Sequence, residues 1–356
     1  MSRVTLGEVC REYKGRAEAA EGLPVVGLEH LSQSDIDLVG CSHEATTFTK
    51  AFRKGHVLFG RRRAYLKKAS LAPFDGVCSG DIIVIEAIEG RLLPRLLPFV
   101  IQNDYLFDFA VENSAGSLSP RVKWKDLSRF EFELPSMEKQ HELADLLWAA
   151  QEAKRAYSRL VSACDEIVKS RFVEMFGDEE GCERVELQSV CSIITDGTHQ
   201  PPKFVSEGIP FLLVSNIANN AMTYDTEKYI TRDTYEQLIK RTPVEVGDLL
   251  VSAVGSFGHP AIIWEDRPFC FQRHIAYFKP IRERIDSIYL HALMLMDDAQ
   301  SYMDRSAKGV AQRTVTLKSF KEMPILLPPL DKQQAFAAFV QQVDKSELFD
   351  EMAVAA

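Results

Sequence analysis

Residues 45–74 hold eight basic residues, Lys50, Arg53, Lys54, Arg61, Arg62, Arg63, Lys67 and Lys68, and no acid. The densest part, Arg61-Arg62-Arg63-Ala64-Tyr65-Leu66-Lys67-Lys68, follows the strand-like segment HVLFG. Guanidinium forks suit phosphate oxygens and the edge of guanine, and ammonium groups suit phosphates as point charges. A solvated charged turn would look similar, but a basic run without local acid favours contact with a polyanion. The formal charge of the chain is −9. Residues 1–135 nevertheless carry 18 charges of each sign, so the acidity lies elsewhere and the local field stays positive.

A second set of polar residues lies between positions 196 and 313. Asp196-Gly197-Thr198-His199-Gln200-Pro201-Pro202 reads as a rigid polar loop. One carboxylate and one histidine make no metal site, and the expectation is a ligand-facing loop carrying Thr198 and His199. Gln272-Arg273-His274 and Lys308-Gly309-Val310-Ala311-Gln312-Arg313 offer amides and cations suited to adenine and guanine edges. Ser252 and Ser256 sit in the glycine-rich stretch Ser252–His259, where small residues let a turn approach another backbone closely. In the first half of the chain the corresponding positions include Ser79 and Arg121.

Catalytic patterns are missing. A methyltransferase would need a cofactor-binding glycine loop and an Asn- or Asp-Pro-Pro-aromatic motif, and a restriction ATPase a Gly-Lys-Ser/Thr loop. The Pro-Pro pairs follow Gln200 and Leu327, and neither glycine loop occurs. Seven scattered cysteines, none in a CxxC pair, read as reduced thiols of a cytoplasmic protein without structural metal. No apolar run approaches membrane-spanning length.

These polar loops must be positioned by something, and the candidate is Ser136–Gly177. Leu143, Leu146, Ala150, Ala153, Tyr157, Leu160, Cys164 and Ile167 recur at steps of three and four, which predicts a coiled-coil seam. Roughly 40 helical residues would make a rod of about 60 Å. A shorter distal helix is expected over 329–356, with Phe336, Val340 and Val343 as its seam.

The chain also repeats itself. GSLSPRVKWKDLSRFEFELPSMEKQ from Gly116 aligns without gaps to GVAQRTVTLKSFKEMPILLPPLDKQ from Gly309, pairing Leu134-Pro135 with Leu327-Pro328 and Lys139-Gln140 with Lys332-Gln333. At the front, Val4, Leu6, Val9 and Cys10 match Val185, Leu187, Val190 and Cys191. The expectation is an α+β protein with a domain at 1–135, a spacer helix at 136–180, a second domain at 181–328 and a distal helix at 329–356. Two such units would be related by a pseudo-two-fold axis, with their helices as an antiparallel coiled coil.

With these pieces in place the chain resembles the specificity subunit of a type I restriction–modification enzyme. DGTHQPP, IPFLLVSNI, VEVGDLLVSAVGSFG, FQRHIAYFKP, LLPPLDKQQ and LFGRRRAYLKKASLAPFDGVCSGD carry the resemblance. It implies a non-catalytic, DNA-binding chain with two target-recognition domains. Each would read one half of a split double-stranded site, and the helices would set the gap. It also implies two copies of an adenine methyltransferase subunit as partners, with or without an ATP-dependent restriction subunit, since a methylation-only system would look the same in this chain. S-adenosylmethionine, ATP and magnesium would then belong to those partners. A coiled-coil scaffold with two protein-binding heads and no role on DNA is the competing reading.

Overall fold

The computed structural model describes residues 2–17, 22–309 and 312–343. The chain divides into two compact units, Met1–Tyr157 and Ser158–Ala356. Each is α+β, and the two share one plan.

Each unit is opened and closed by the same antiparallel pair. Ser2–Thr5 runs beside Glu131–Leu134 with Ser2 opposite Leu134, and Glu183–Glu186 runs beside Pro324–Leu327 with Glu183 opposite Leu327. The repeat read from the sequence is therefore a repeat of strand register.

The central sheets correspond as well. In the first unit β1 (Cys10–Glu12), β2 (Val57–Gly60), β3 (Ala69–Leu71) and β4 (Ile82–Ala87) form an antiparallel sheet in the order β1-β4-β2-β3. In the second, β5 (Cys191–Asp196), β6 (Leu249–Ser252), β7 (Pro260–Ile262) and β8 (Ile275–Pro280) take the order β5-β8-β6-β7. The central strands read as continuous apolar runs because both sheet faces are buried. Ile83 and Ile85 enter one core and Ile82 and Val84 another. Likewise Ala276 and Phe278 face one core and Ile275 and Tyr277 the other.

A small parallel pair is also shared, Val25–Val26 with Gly76–Cys78 and Ile209–Leu212 with Cys270–Phe271. Its third strand differs. Lys50–Phe52 adds to Gly76–Cys78 in one unit, whereas Tyr229–Ile230 adds to Ile209–Leu212 in the other. The divergence falls in the middle of the repeat, where the sequences no longer align. Two apolar stretches expected as single elements are broken. FQRHIAYFKP turns at Gln272–His274 between Cys270–Phe271 and β8. The helical stretch from Ser287 splits at Met296, whose ψ of 152° is extended, into Ser287–Leu295 and Asp297–Ser306.

The long helix runs over Met137–Phe176, 40 residues, but it does not bury the expected seam. Leu146, Leu160 and Ile167 are 67%, 44% and 49% exposed, and Ala150 and Ala153 are exposed too. Leu143 and Tyr157 are half-buried, and Cys164 alone of that stripe is buried. In the first unit the covered face is Leu143, Ala144, Leu147, Trp148, Gln151 and Arg155. Gln151 and Arg155 meet the acidic loop of Asp35 and Asp37: the Gln151 amide donates to Asp35 at 2.6 Å, and Arg155 Nε to Asp37 at 2.7 Å. An apolar-only periodicity passes over an amide and a guanidinium, which is why it selected the neighbouring stripe. Trp148 packs as an off-seam residue, edge-on to Phe99 with its indole donating to the Arg95 carbonyl at 2.9 Å.

In the second unit the helix end supplies Phe172 and Phe176 to the core, together with Tyr289 and the fully buried Phe336 of the distal helix Leu330–Gln342. Phe336 lies 5.5 Å from Phe172 and 5.7 Å from Phe176, while Arg171 sits over Phe339 at 5.5 Å. The contacts step in opposite chain directions, so these two helix ends are antiparallel. Of the distal seam, Val340 is half-buried and Val343 is already the half-buried cap; 344–356 lie outside the described residues.

Each helix is tied to its unit by the same glutamine. Gln140 accepts from Leu93 N at 2.8 Å and donates to the Pro135 and Arg91 carbonyls at 3.1 and 3.4 Å. Gln333 accepts from Asp286 N at 2.9 Å and donates to the Pro328 and Arg284 carbonyls at 2.7 and 3.1 Å. Both side chains are buried, 1% and 0% exposed, so losing one strands several backbone groups in the interior. Gln140→Leu and Gln333→Leu are each expected to destabilise their unit by about 2–4 kcal/mol in urea denaturation; an unchanged midpoint would refute the tie.

Candidate nucleic-acid interface

Three loops meet at the ends of the central strands in each unit, held by matching backbone bonds. In the first unit Arg61 N donates to Asp81 O at 2.9 Å, Arg63 N to Pro120 O at 2.8 Å and Val122 N to Arg61 O at 3.0 Å. In the second, Ala253 N donates to His274 O at 2.8 Å, Gly255 N to Arg313 O at 3.0 Å and Val315 N to Ala253 O at 2.9 Å. Arg61-Arg62-Arg63 and Ala253-Val254-Gly255 thus occupy one backbone position with unlike side chains. The structure brings together Arg61–Lys68, Ser79 and Arg121 in one unit. In the other it brings together Thr198, Gln272, Arg273, Ser256, Lys308, Gln312 and Arg313.

The electrostatics of the first cluster turn on Asp81, which the sequence reading passed over. Arg121 donates to its carboxylate at 2.7 and 3.2 Å, and Arg62 lies 3.5 Å away while donating to Ser119 Oγ at 3.2 Å. The Arg121 hydrogen bond, with Arg62 and Arg61 nearby, holds the Asp81 carboxyl below its ordinary range despite partial burial. One carboxylate among three guanidiniums leaves an excess of two positive charges. The buried Arg61 Nε has no hydrogen-bond partner among the described residues.

Other members of the basic run are engaged within the fold. Lys67 pairs with Asp104 at 2.5 Å and lies 3.8 Å from Asp108. Lys68 donates to the Leu28 carbonyl at 2.8 Å. Ser79 Oγ accepts from Asp81 N at 3.2 Å. Tyr65 stands 54% exposed, and Arg63 is exposed.

In the second unit Thr198 bridges to Gln272, and Arg273 N donates to the Thr198 carbonyl at 3.0 Å. His199 shares Asp196 with Arg241, at 3.1 Å and 2.6 Å respectively, so the carboxylate pairs with a distant arginine that no local motif announces. Among the described residues no group of His, Cys, Asp and Glu could hold a metal ion. Ser252 is a correction: it is fully buried and its Oγ accepts from His259 N at 2.9 Å, so it faces the fold and not a ligand. Ser256 Oγ lies 3.0 Å from His259 Nε2, whose Nδ1 is 2.9 Å from Asn220 Oδ1. Arg313 pairs with Asp304 at 2.7 Å and stacks over Phe257. Gln312, Lys308 and Arg273 remain exposed.

The Asp81 cluster has a pH signature. Its folded pKa is depressed, so its contribution is full above the ordinary value of 3.8 and is lost as pH falls through the lower folded value. Asp81→Asn should therefore cost about 1 kcal/mol at neutral pH, with the difference from the parent shrinking below about pH 4. A difference independent of pH in denaturation series would refute this account.

Comparison with known proteins agrees with this geometry. The type I restriction modification DNA specificity domain matches residues 179–350. The EcoBI type I restriction enzyme specificity subunit of Escherichia coli is 28% identical over 147 residues, 41% of this chain and 31% of that protein. The EcoDI specificity subunit of the same organism is 30% identical over 99 residues, 28% of this chain and 21% of that protein. These matches thus span less than a third of the length of either relative. The S subunit of a type I restriction–modification system from M. genitalium shares the fold, with a TM-score of 0.56 at 12% identity over 99% of this chain and 92% of that one. Fold and loop geometry define a duplicated α+β unit with helical extensions. The specificity-domain match lies in the second half of the chain, and the chain is similar to type I restriction enzyme specificity subunits.

Proposed function

We propose that this chain is the sequence-specific DNA-binding subunit of a type I restriction–modification complex. One unit reads each half of a bipartite site, and the long helix sets the gap. The observation that supports this best is the loop cluster built twice on one backbone plan with unlike side chains. A duplicated reader needs a constant scaffold and variable contacts. The excess of positive charge around Asp81 supplies the field that draws a phosphate backbone.

On this reading the chain performs no catalysis. Two copies of an adenine methyltransferase subunit bind it, with or without an ATP-dependent restriction subunit. S-adenosylmethionine, ATP and magnesium are bound by those partners. The complex works in the cytoplasm, where the DNA is; among the described residues no helix is long and apolar enough to cross a membrane.

The test is sequencing of modified adenines in a host expressing the chain with its methyltransferase partner. One split, asymmetric motif should appear and should vanish when this chain is deleted. An unchanged methylation pattern would overturn the proposal and favour a protein-binding scaffold. In titrations of the assembled complex with duplex DNA, Arg61→Ala combined with Arg62→Ala should weaken binding about tenfold or more and flatten its salt dependence, without loss of assembly.

A further inference from the structure

Arg63 sits where its side chain is a burden to the fold. Its φ of 53° is left-handed, and the equivalent position in the second unit is Gly255 at φ 76°. Glycine occupies this region freely, whereas an L side chain strains it. The backbone cannot relax, because Arg63 N is held by the Pro120 carbonyl at 2.8 Å and Arg63 O by Leu66 N at 2.9 Å. The turn over Ala64–Leu66 closes on a second left-handed residue, Lys67 at φ 50°. That lysine is fastened to Asp104 at 2.5 Å. The Arg63 guanidinium is exposed and makes no hydrogen bond or ion pair among the described residues. Its neighbours Arg62 and Arg121 are held around Asp81, and Lys68 by the Leu28 carbonyl.

A strained position keeps a charged side chain when the side chain acts outside the fold. We propose that Arg63 is the specificity-determining residue of the first unit and reads a guanine edge in its half-site. This rests on the DNA-recognition reading above and narrows it to one side chain. The guanidinium fork matches the O6 and N7 acceptors of guanine. A clamped turn fixes where the fork begins, as base readout requires and as a phosphate contact does not. The surrounding excess of charge at Arg61, Arg62 and Arg121 is placed to hold the backbone, leaving Arg63 for the base.

The experiment uses the full chain assembled with its methyltransferase partner, carrying Arg63→Gly or Arg63→Lys. Modified-adenine sequencing gives the motif, and titration with duplexes varied one base pair at a time gives the preference. Both variants should relax one guanine position in one half-site, with about tenfold to hundredfold loss of discrimination there. The other half-site should be unchanged. Arg63→Gly should melt at or above the parent temperature, since glycine suits the backbone.

Three results would overturn the assignment: an unaltered motif in both variants, a uniform weakening on all sequences with a salt slope lower by about one, or a marked drop in melting temperature for Arg63→Gly. The second would make Arg63 a phosphate contact, and the third a structural residue. If the parent chain itself directs no motif, the DNA-recognition reading falls along with the assignment to Arg63. An intact parent motif retained by both variants sinks Arg63 alone.

Discussion

Two buried glutamines fix how each helix leaves its globular unit. Gln140 and Gln333 each bridge the Leu-Pro that ends a strand, the first turn of a helix, and a backbone loop 47–49 residues earlier in the chain. An amide can do this because one side chain accepts and donates at once, and the buried site leaves water no part in it. The first turn of each helix is thereby fastened to its unit at the same backbone positions. The strand register at the unit's base and the backbone bonds of the loop cluster repeat alongside it. The repeat is therefore a repeat of hydrogen-bond topology more than of apolar residues.

Within that constant scaffold the two loop clusters have taken different chemistry. One gathers guanidiniums around Asp81; the other uses a histidine, an asparagine and serines around Gly255, with Arg313 held on Asp304 and Phe257. The backbone bonds that hold the loops do not depend on those side chains. Side chains can therefore change without disturbing the sheet, as recognition of two unrelated half-sites would require. Several charged or polar groups of these loops also have partners within the fold. Lys67 and Lys68 serve the fold, Arg62 and Arg121 share an acid, and Ser252 is buried.

The long helix illustrates the same separation between pattern and use. Its heptad stripe is real in the sequence, yet Leu146, Leu160 and Ile167 face outward. The first unit grips the helix through Gln151 and Arg155 on Asp35 and Asp37, groups that a hydrophobic period cannot register. The second unit grips it through Phe172 and Phe176, just beyond the end of the seam read from the pattern.

Duplication, the α+β alternation, the long helix and the matching ends of the two units were legible in the sequence, because Gly, Pro, Gln and apolar strand residues recur at constant offsets; that the ends of each unit pair with one another came from the structure. The basic run and its glycine-rich counterpart were legible as loops for the same reason. Which side chains in those loops are available was decided only by the tertiary structure. Ion pairs such as Arg121 with Asp81 and Arg241 with Asp196 join residues 40 and 45 positions apart. Left-handed backbone at Arg63 depends on a carbonyl at Pro120. Such long-range contacts leave no local period or motif, so the sequence names the loops and the fold chooses the residues.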